Sequence, residues 1–577
     1  MQTHGGHSIN ILSEYTEDIY KILLQNRDIH PDELEGFFHP KISDLHDPYL
    51  MPDMELAVNR ILEAQAKKER IVIFGDYDVD GVSSTAILVK FLTEIGCLVS
   101  YRLPHRVHDG YGLKEYFFDE LKEKGVSLVI TVDCGTRDIG PIQHAKSLGI
   151  DVIVTDHHAV PDIIPTEVIA IVNPKRKDSL YPFHGLAGAG VAFKLLHGIL
   201  IGLKSNTINE TLTRYIDFAS LGTVADCMPI TGENRIITTL GLKQMQQSES
   251  IGLRNFLEGR EQIEGNADII GFQIGPRINA AGRMDTPLTA LRWLLAGEGR
   301  TDEFFGELEH LNETRKGTTE THFQKALENI DTSKPVLFYD ASDLEHGIIG
   351  LVAGRLTEMY NKPTIVIKNG HDHPLTSRKG DTVSVTENQN IQLVDSKNLS
   401  IASCRSPEWC NLIELLDHCK DFFIRYGGHR QAAGFTIESS KVEAFKEAIW
   451  KQIATVHDIH NLPKKNLSVE CILPPNSITV KTLEDIDHFR PFGIGNPKPL
   501  FLIEDVTIAA TKPLGQEEKH LSITISENPS LRFLLWNASD KKAHLTPGNI
   551  ISLLIEIDRN EWKGKVNVQV IIKDIIT

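Results

Sequence analysis

The 577-residue chain carries 60 Lys and Arg against 78 Asp and Glu, a formal net charge of −18, with 41% hydrophobic and 24% charged residues. That composition suits a large enzyme of three or four domains, with no internal repeat or low-complexity tract. No apolar run approaches the roughly 18 residues that cross a bilayer, and Met1-Gln-Thr-His-Gly-Gly-His7 lacks a signal-peptide core, so a cytoplasmic location is expected. Seven Cys without a C-x-x-C pair exclude a zinc ribbon and point to reduced thiols.

Residues 1–50 read as a helical lead-in. Residues 51–300 follow as an α/β domain: Ile71-Val-Ile-Phe74, Leu128-Val-Ile-Thr-Val132 and Val152-Ile-Val154 are short, β-branched and unalternating, as strands buried on both faces should be. Amphipathic stretches at 83–95, 114–124 and 140–148 separate them, which predicts a parallel, doubly wound sheet. The charged stretch 301–331 has a helical period, so a connecting helix is expected over about 301–333. A second α/β domain spans 334–460, with a helix over 347–360 and the strand Thr364-Ile-Val-Ile367. From 464 to 577, short strands such as Phe501-Leu-Ile503 and Leu521-Ser-Ile-Thr-Ile525 alternate with turn signals and predict an OB-like β-barrel.

Four segments place acids and imidazoles just after apolar runs: Asp76-Tyr-Asp-Val-Asp80, Asp133, Asp156-His-His158 and Ala225-Asp226. In a parallel sheet, ligands bind outside the carboxyl ends of the strands, so these side chains should converge in one crevice. A single Asp after a strand reads equally as a turn former or helix cap; four together argue for a site. Several carboxylates, one or two imidazoles and no thiolate suit Mn²⁺ or Mg²⁺ rather than zinc. A carboxylate held between two such ions, about 3.5–4 Å apart, is the usual layout for water-driven phosphoester cleavage.

Basic and glycine-rich segments supply further candidates. Gly427-Gly-His429 with Ala432-Ala-Gly434 gives a backbone able to approach a phosphate and a His able to donate to it; the structural alternative is a packed strand corner. Arg277 and Arg283 flank the small segment Asn279-Ala-Ala-Gly282, where forked guanidiniums can engage phosphate or form structural ion pairs. Gly185-Leu-Ala-Gly-Ala-Gly190 lacks the GK[ST] ending of a P-loop and reads as a helix start. Phe492, Trp536 and Trp562 are candidates for base stacking. The acidity sits awkwardly with a nucleic-acid partner. From Lys464 onward 14 basic residues balance 14 acidic ones, so the whole excess lies in residues 1–463.

Gly75-Asp-Tyr-Asp-Val-Asp-Gly81, Asp156-His-His158 and Gly427-Gly-His-Arg-Gln-Ala-Ala-Gly434 resemble the defining motifs of the DHH phosphoesterase superfamily, in particular its branch of single-strand-specific 5′→3′ DNA exonucleases. The resemblance extends through Ala225-Asp-Cys-Met-Pro-Ile-Thr-Gly-Glu-Asn-Arg235, Gly275-Pro-Arg-Ile-Asn-Ala-Ala-Gly-Arg283 and Arg490-Pro-Phe-Gly-Ile-Gly-Asn-Pro497 and covers nearly the whole chain. It implies a metal-dependent nuclease that degrades single-stranded DNA to mononucleotides in repair and recombination. Two ions, Mn²⁺ or Mg²⁺, are implied: Asp78 and Asp133 ligate one, and Asp80, Asp133, His157 and Asp226 the other. Asp76 is assigned behind the ligands and His158 to the scissile phosphate, while Arg106, Tyr111, Arg405 and His429 join Arg277 and Arg283 as substrate-binding candidates. Phe74 departs from the family, which often carries His there. The implied partners are single-stranded DNA, a single-stranded-DNA-binding protein and a helicase, with action as a monomer. The further C-terminal domain of longer relatives is expected to be missing. A pyrophosphatase or short-oligonucleotide phosphodiesterase would share the metal motifs but lack the barrel, and a catalytically silent scaffold would have lost ligands.

Overall fold

The computed structural model describes residues 3–106, 108–260, 263–369, 382–387, 390–395, 398–458, 461–515, 518–538, 541–562 and 565–576. They form two compact units. One comprises Ile42–Met228 and Gly232–Leu462; the other comprises Met1–Lys41, Pro229–Thr231 and Pro463–Thr577.

The larger unit is built on a five-stranded parallel sheet: β1 (Arg70–Phe74), β2 (Leu98–Arg102), β3 (Val126–Val132), β4 (Asp151–Thr155) and β5 (Ala170–Val172), in the order β2-β1-β3-β4-β5. β-branched residues fill the central strands because both faces are covered. One face packs against α2 (Glu115–Glu123) and α3 (Ile139–Ser147) through Val72, Phe117, Val129 and Val152. Phe74 joins this core, its ring 5.3 Å from Phe117. The other face carries α1 (Val79–Glu94), α4 (Gly188–Gly202) and α5 (Ile208–Ala225). The strands all end on one edge of the sheet, which is where the Asp and His segments lie.

A charge pair is buried beside α4. Lys194 and Glu233 are both fully buried, 3.0 Å apart. Glu233 also accepts from the Tyr181 hydroxyl and the His46 amide, and Lys194 donates to the His46 carbonyl. Every charged atom therefore has a partner, as a dry interior requires.

Past α6 (Gly275–Met284), the helix α7 (Thr301–Asn329) runs for 29 residues, roughly 43 Å at 1.5 Å per residue. It leads into a second sheet of β6 (Leu337–Asp340), β7 (Thr364–Lys368), β8 (Leu399–Arg405), β9 (Phe423–Gly428) and β10 (Ala432–Glu438), in the order β9-β10-β8-β7-β6. Only the β6–β7 pair is parallel, and α8 (Ile349–Tyr360) supplies that crossover.

The smaller unit contains a closed barrel in the order Phe501–Leu514, His520–Ile525, Phe533–Leu535, Lys565–Ile576, Ile550–Trp562. Alternate residues such as Leu521, Ile523 and Ile525 point into its core. The N-terminal segment contains a strand as well as helices: Ser8–Ile11 pairs in parallel with Asn466–Val469, and helix Ile19–Asn26 adds Ile19, Ile22 and Leu23 to the barrel core. Arg27 then fixes the Arg490-to-Pro497 motif, donating to Asn496 Oδ1 and Pro497 O at 2.9 Å each and pairing with the buried Glu470.

Candidate metal and phosphate site

The acidic motif is shaped by the start of α1. Asp78 Oδ1 caps the helix, accepting from the amides of Asp80 and Gly81 at 3.0 and 3.1 Å. Asp80 lies in the first turn, and its two oxygens accept from the amides of Gly188 and Ala189 at 2.6 and 2.8 Å. Those amides open α4, so a helix N-terminus holds the carboxylate. Small residues permit the approach: a Cβ on Gly188 would lie 2.6 Å from that of Asp133, and one on Gly222 would meet Asp80 Oδ1 at 2.2 Å.

Asp133 follows β3 with φ of 60°, a left-handed turn that aims its carboxyl into the crevice. His157 Nε2 stands 3.1 Å from Asp133 Oδ1 and 3.6 Å from both Asp80 Oδ2 and Asp226 Oδ2. Possible ligand atoms form three overlapping groups among the described residues: Asp76, Asp78 and Asp133; Asp80, His157 and Asp226; and Asp133, His157 and His158. The four segments thus converge, with Asp133 shared; Asp226, expected after a strand, instead caps the C-terminus of helix α5. Asp76, assigned behind the ligands, stands among them.

The site is electrostatically incomplete without cations. Burial, then the neighbouring acids, hold the carboxyls of Asp76, Asp80 and Asp133 well above the usual carboxylate range, and push Asp226 up to about 7. The Oδ1 atoms of Asp76 and Asp133 are buried without a hydrogen-bond partner. Burial, then the nearby His158, lowers His157 to about 3, leaving a neutral imidazole suited to ligation. Hard oxygen donors, one neutral imidazole and orphaned carboxylate atoms together fit divalent Mn²⁺ or Mg²⁺.

His158 is arranged differently. Asp156 Oδ1 accepts from its Nδ1 at 2.8 Å and from its amide at 3.1 Å, while Asp156 Oδ2 accepts from the Thr136 amide at 3.0 Å. Burial opposes the imidazolium, but the Asp156 bond and charge outweigh it, so the His158 pKa is raised. Tyr111 donates to the Asp133 carbonyl at 3.1 Å and touches His158 Nδ1 at 3.2 Å, which ties its hydroxyl to the site.

Beside this pocket lies a cavity of about 710 Å³ lined by residues that include Arg106, Arg283, Arg405, Arg425 and His429. Tyr77, Arg106, Tyr111, Gly428 and His429 line both spaces, and the His429 ring lies parallel to His158 at 6.4 Å. Arg106 stacks over Tyr77 at 4.4 Å, and Arg405 donates to Ser403 Oγ and its neighbouring carbonyl. Arg283 donates to the Gly347 carbonyl; burial, then Arg106 and Arg405, lowers its pKa to about 9. Arg277 does not line either space and is paired with Glu309. In the barrel, Trp536 is 49% exposed with its edge on His520, while Phe492 packs against the core. The Trp562 side chain lies outside the described residues.

Two groups carry no clear signal in sequence. The Gly188 and Ala189 amides have no side-chain signature, though a Gly-rich helix start following an acidic motif is a hint, and Arg425 lies two residues before Gly427-Gly-His429. Asp156 stands in the sequence motif, but its hold on His158 is seen only in the fold.

The strand-end acid cluster and the arginine-lined space beside it are the parts of a metal-dependent phosphoesterase. Family models agree: "DHH family, N-terminal domain" matches residues 70–223, "DHHA1 domain" 333–455 and "RecJ OB domain" 469–574. The chain is 31% identical over 545 residues to the single-stranded-DNA-specific exonuclease RecJ of Salmonella typhimurium, covering 90% of this chain and 89% of that protein. It is 33% identical over 547 residues to the Bacillus subtilis RecJ, covering 93% of this chain and 65% of that longer protein. The crystal structure of Thermus thermophilus RecJ in complex with Mn²⁺ superposes with a TM-score of 0.80 at 26% identity, covering 99% of this chain and 79% of that one; its Mg²⁺ complex gives 0.73. The chain belongs to the RecJ family of single-stranded-DNA-specific exonucleases.

Proposed function

We propose that this chain is a two-metal 5′→3′ exonuclease that removes mononucleotides from single-stranded DNA. The observation that carries this reading is the continuity between the carboxylate pocket and the arginine-lined cavity, which share Tyr77, Arg106, Tyr111, Gly428 and His429. A strand end seated in the cavity presents its next phosphodiester to the acids.

Asp76, Asp78 and Asp133 would hold one ion, and Asp80, His157 and Asp226 the other, with Asp133 serving both. Bound there, Mn²⁺ or Mg²⁺ lowers the pKa of water and offsets charge on the phosphoryl oxygens. The remaining steps belong to the protein. The α4 amides fix Asp80, so the ligand needs no reorganisation. Asp156 favours the protonated form of His158 and orients its ring, leaving Nε2 to donate to the scissile phosphate. His429, parallel to His158, donates from the other side of the shared space. Arg106, Arg283 and Arg405 grip the terminal phosphate. Partnership with a single-stranded-DNA-binding protein and a helicase, and action as a monomer, belong to the same reading.

The test is incubation of the purified chain and Mn²⁺ with single strands labelled at either end. A 5′ label should appear at once as a mononucleotide, while a 3′ label shortens gradually. Immediate mononucleotide release from the 3′ label, or equal cutting of duplex, would overturn the proposal.

A further inference from the structure

The turn that follows Asp133 carries Arg137, a cation outside the terminal-phosphate group. Residues 135–138 form this turn, closed by the Asp138 amide donating to the Gly135 carbonyl at 3.1 Å. It is pinned from two sides. The Thr136 amide donates to Asp156 Oδ2 at 3.0 Å, and Asp138 Oδ2 accepts from the Leu113 amide at 2.8 Å. Asp156 also holds His158, so the backbone of Arg137 is set against the same anchor as that imidazole.

Arg137 lines the acid pocket together with Asp76, Asp78, Asp138 and Asp156, yet among the described residues it forms no ion pair. Its exposed guanidinium donates from Nη2 to the Ala159 carbonyl, beside His158, at 3.3 Å. A guanidinium that served only to balance the acids would stand within ion-pair distance of one of them. This one is held at the rim with N–H groups to spare. Arg106 borders both the acid pocket and the arginine-lined cavity, whereas Arg137 borders the pocket alone. On the path of a strand from cavity to pocket, Arg137 therefore comes after the groups that the two spaces share. Arg106, Arg283 and Arg405 serve the terminal phosphate, and His158 and His429 the scissile one. One nucleotide further on, a single strand offers another phosphodiester, which the guanidinium fork matches.

We propose that Arg137 binds the phosphodiester on the 3′ side of the scissile one, gripping the part of the strand that stays behind after each cut. This rests on the exonuclease reading above.

A pair of 5′-phosphorylated oligonucleotides isolates the contact, because a dinucleotide has only the scissile phosphodiester and a trinucleotide has one more. For Arg137→Gln in the full chain with Mn²⁺, KM for the trinucleotide should rise about tenfold, as loss of a charge-assisted contact does. KM for the dinucleotide, and kcat on both, should stay within about twofold. Arg137→Lys, which keeps the charge but not the fork, should recover part of the loss. Tm should move by no more than about 1 °C, since the bond removed is exposed. For binding to a long single strand, the slope of log binding constant against log salt should fall by about 0.7, the increment for one phosphate. An equal rise in KM on the dinucleotide, or a fall in kcat on both substrates, would move Arg137 to the scissile phosphate and overturn the proposal. Unaltered KM on both, with a lower Mn²⁺ concentration for half-activation, would overturn it too and show that Arg137 balances the acids. Absence of strand cleavage by the wild-type chain would instead overturn the exonuclease reading, and the salt slope, which needs no turnover, would still report on the contact.

Discussion

Within one unit the acid pocket and the arginine cavity are mirror cases of the same physics. In the first, burial and then repulsion among carboxylates push their protons on; in the second, burial and then neighbouring guanidiniums lower Arg283 to about 9. Each cluster gathers like charge, and on the proposed reading each is completed by a partner of opposite charge, a cation for one and a phosphate for the other. The comparison accounts for the awkward net charge of −18. Binding a polyanion needs a local cationic surface, and the acidic excess of residues 1–463 is partly the metal site itself.

The sharpest way to break the comparison is to separate chemistry from grip. Asp133→Ala removes the carboxyl common to two ligand groups, so hydrolysis should fall by more than the roughly 100-fold that loss of an outer-shell group costs, while single-strand binding survives. Retention of a tenth of wild-type turnover would show that Asp133 is not shared. Arg283→Ala should do the reverse: KM rises about 10–100-fold for loss of a charge-assisted contact, and the Mn²⁺ concentration for half-activation stays put. A change confined to metal dependence would place Arg283 with the acids.

Asp156→Asn probes the junction of the two regions. His158 loses the partner that raises its pKa, so its protonated form persists over a narrower range; activity should drop about tenfold and its alkaline decline should begin at lower pH. An unshifted pH–rate profile would remove His158 from the proton inventory.

The smallest effect concerns stability. Asp226 rises on folding from an ordinary 3.8 to about 7, so the folded metal-free chain binds this proton more tightly than the unfolded chain. Its contribution to stability is complete below pH 3.8 and is lost as pH climbs through about 7. Mn²⁺ takes the proton's place, so saturating Mn²⁺ should raise Tm more at pH 8 than at pH 6, by about 2 °C. An equal increment at both values would mean that the acids are already ionised without metal.

The acid pocket was more legible in sequence than the cavity, for a local reason. Apolar runs such as Ile71-Val-Ile-Phe74 announce strands, and a parallel sheet forces their carboxyl ends together, so Asp78, Asp133 and His157 could be gathered without coordinates, whereas Asp226 reaches them from the C-terminus of helix α5. Arginines bring no such periodicity. Arg283 and Arg277 looked alike in one motif, and only tertiary packing shows that Glu309 neutralises Arg277 while Arg283 faces other cations. Backbone donors were invisible for the same reason: the Gly188 and Ala189 amides act through position rather than side chain. The strand pairing of Ser8–Ile11 with Asn466–Val469 joins segments more than 450 residues apart, beyond the reach of any local pattern.

The buried Lys194–Glu233 pair bears on how the catalytic region can be cut out of the chain. Both side chains are satisfied through the backbone of His46, upstream of the boundary at residue 51 that composition suggests. A fragment begun at residue 51 loses that amide and carbonyl, leaving one ammonium and one carboxylate in a dry interior with an unmet bond each. A fragment begun at residue 42, where the larger unit starts, keeps them, and the two differ by nine residues that carry no catalytic group.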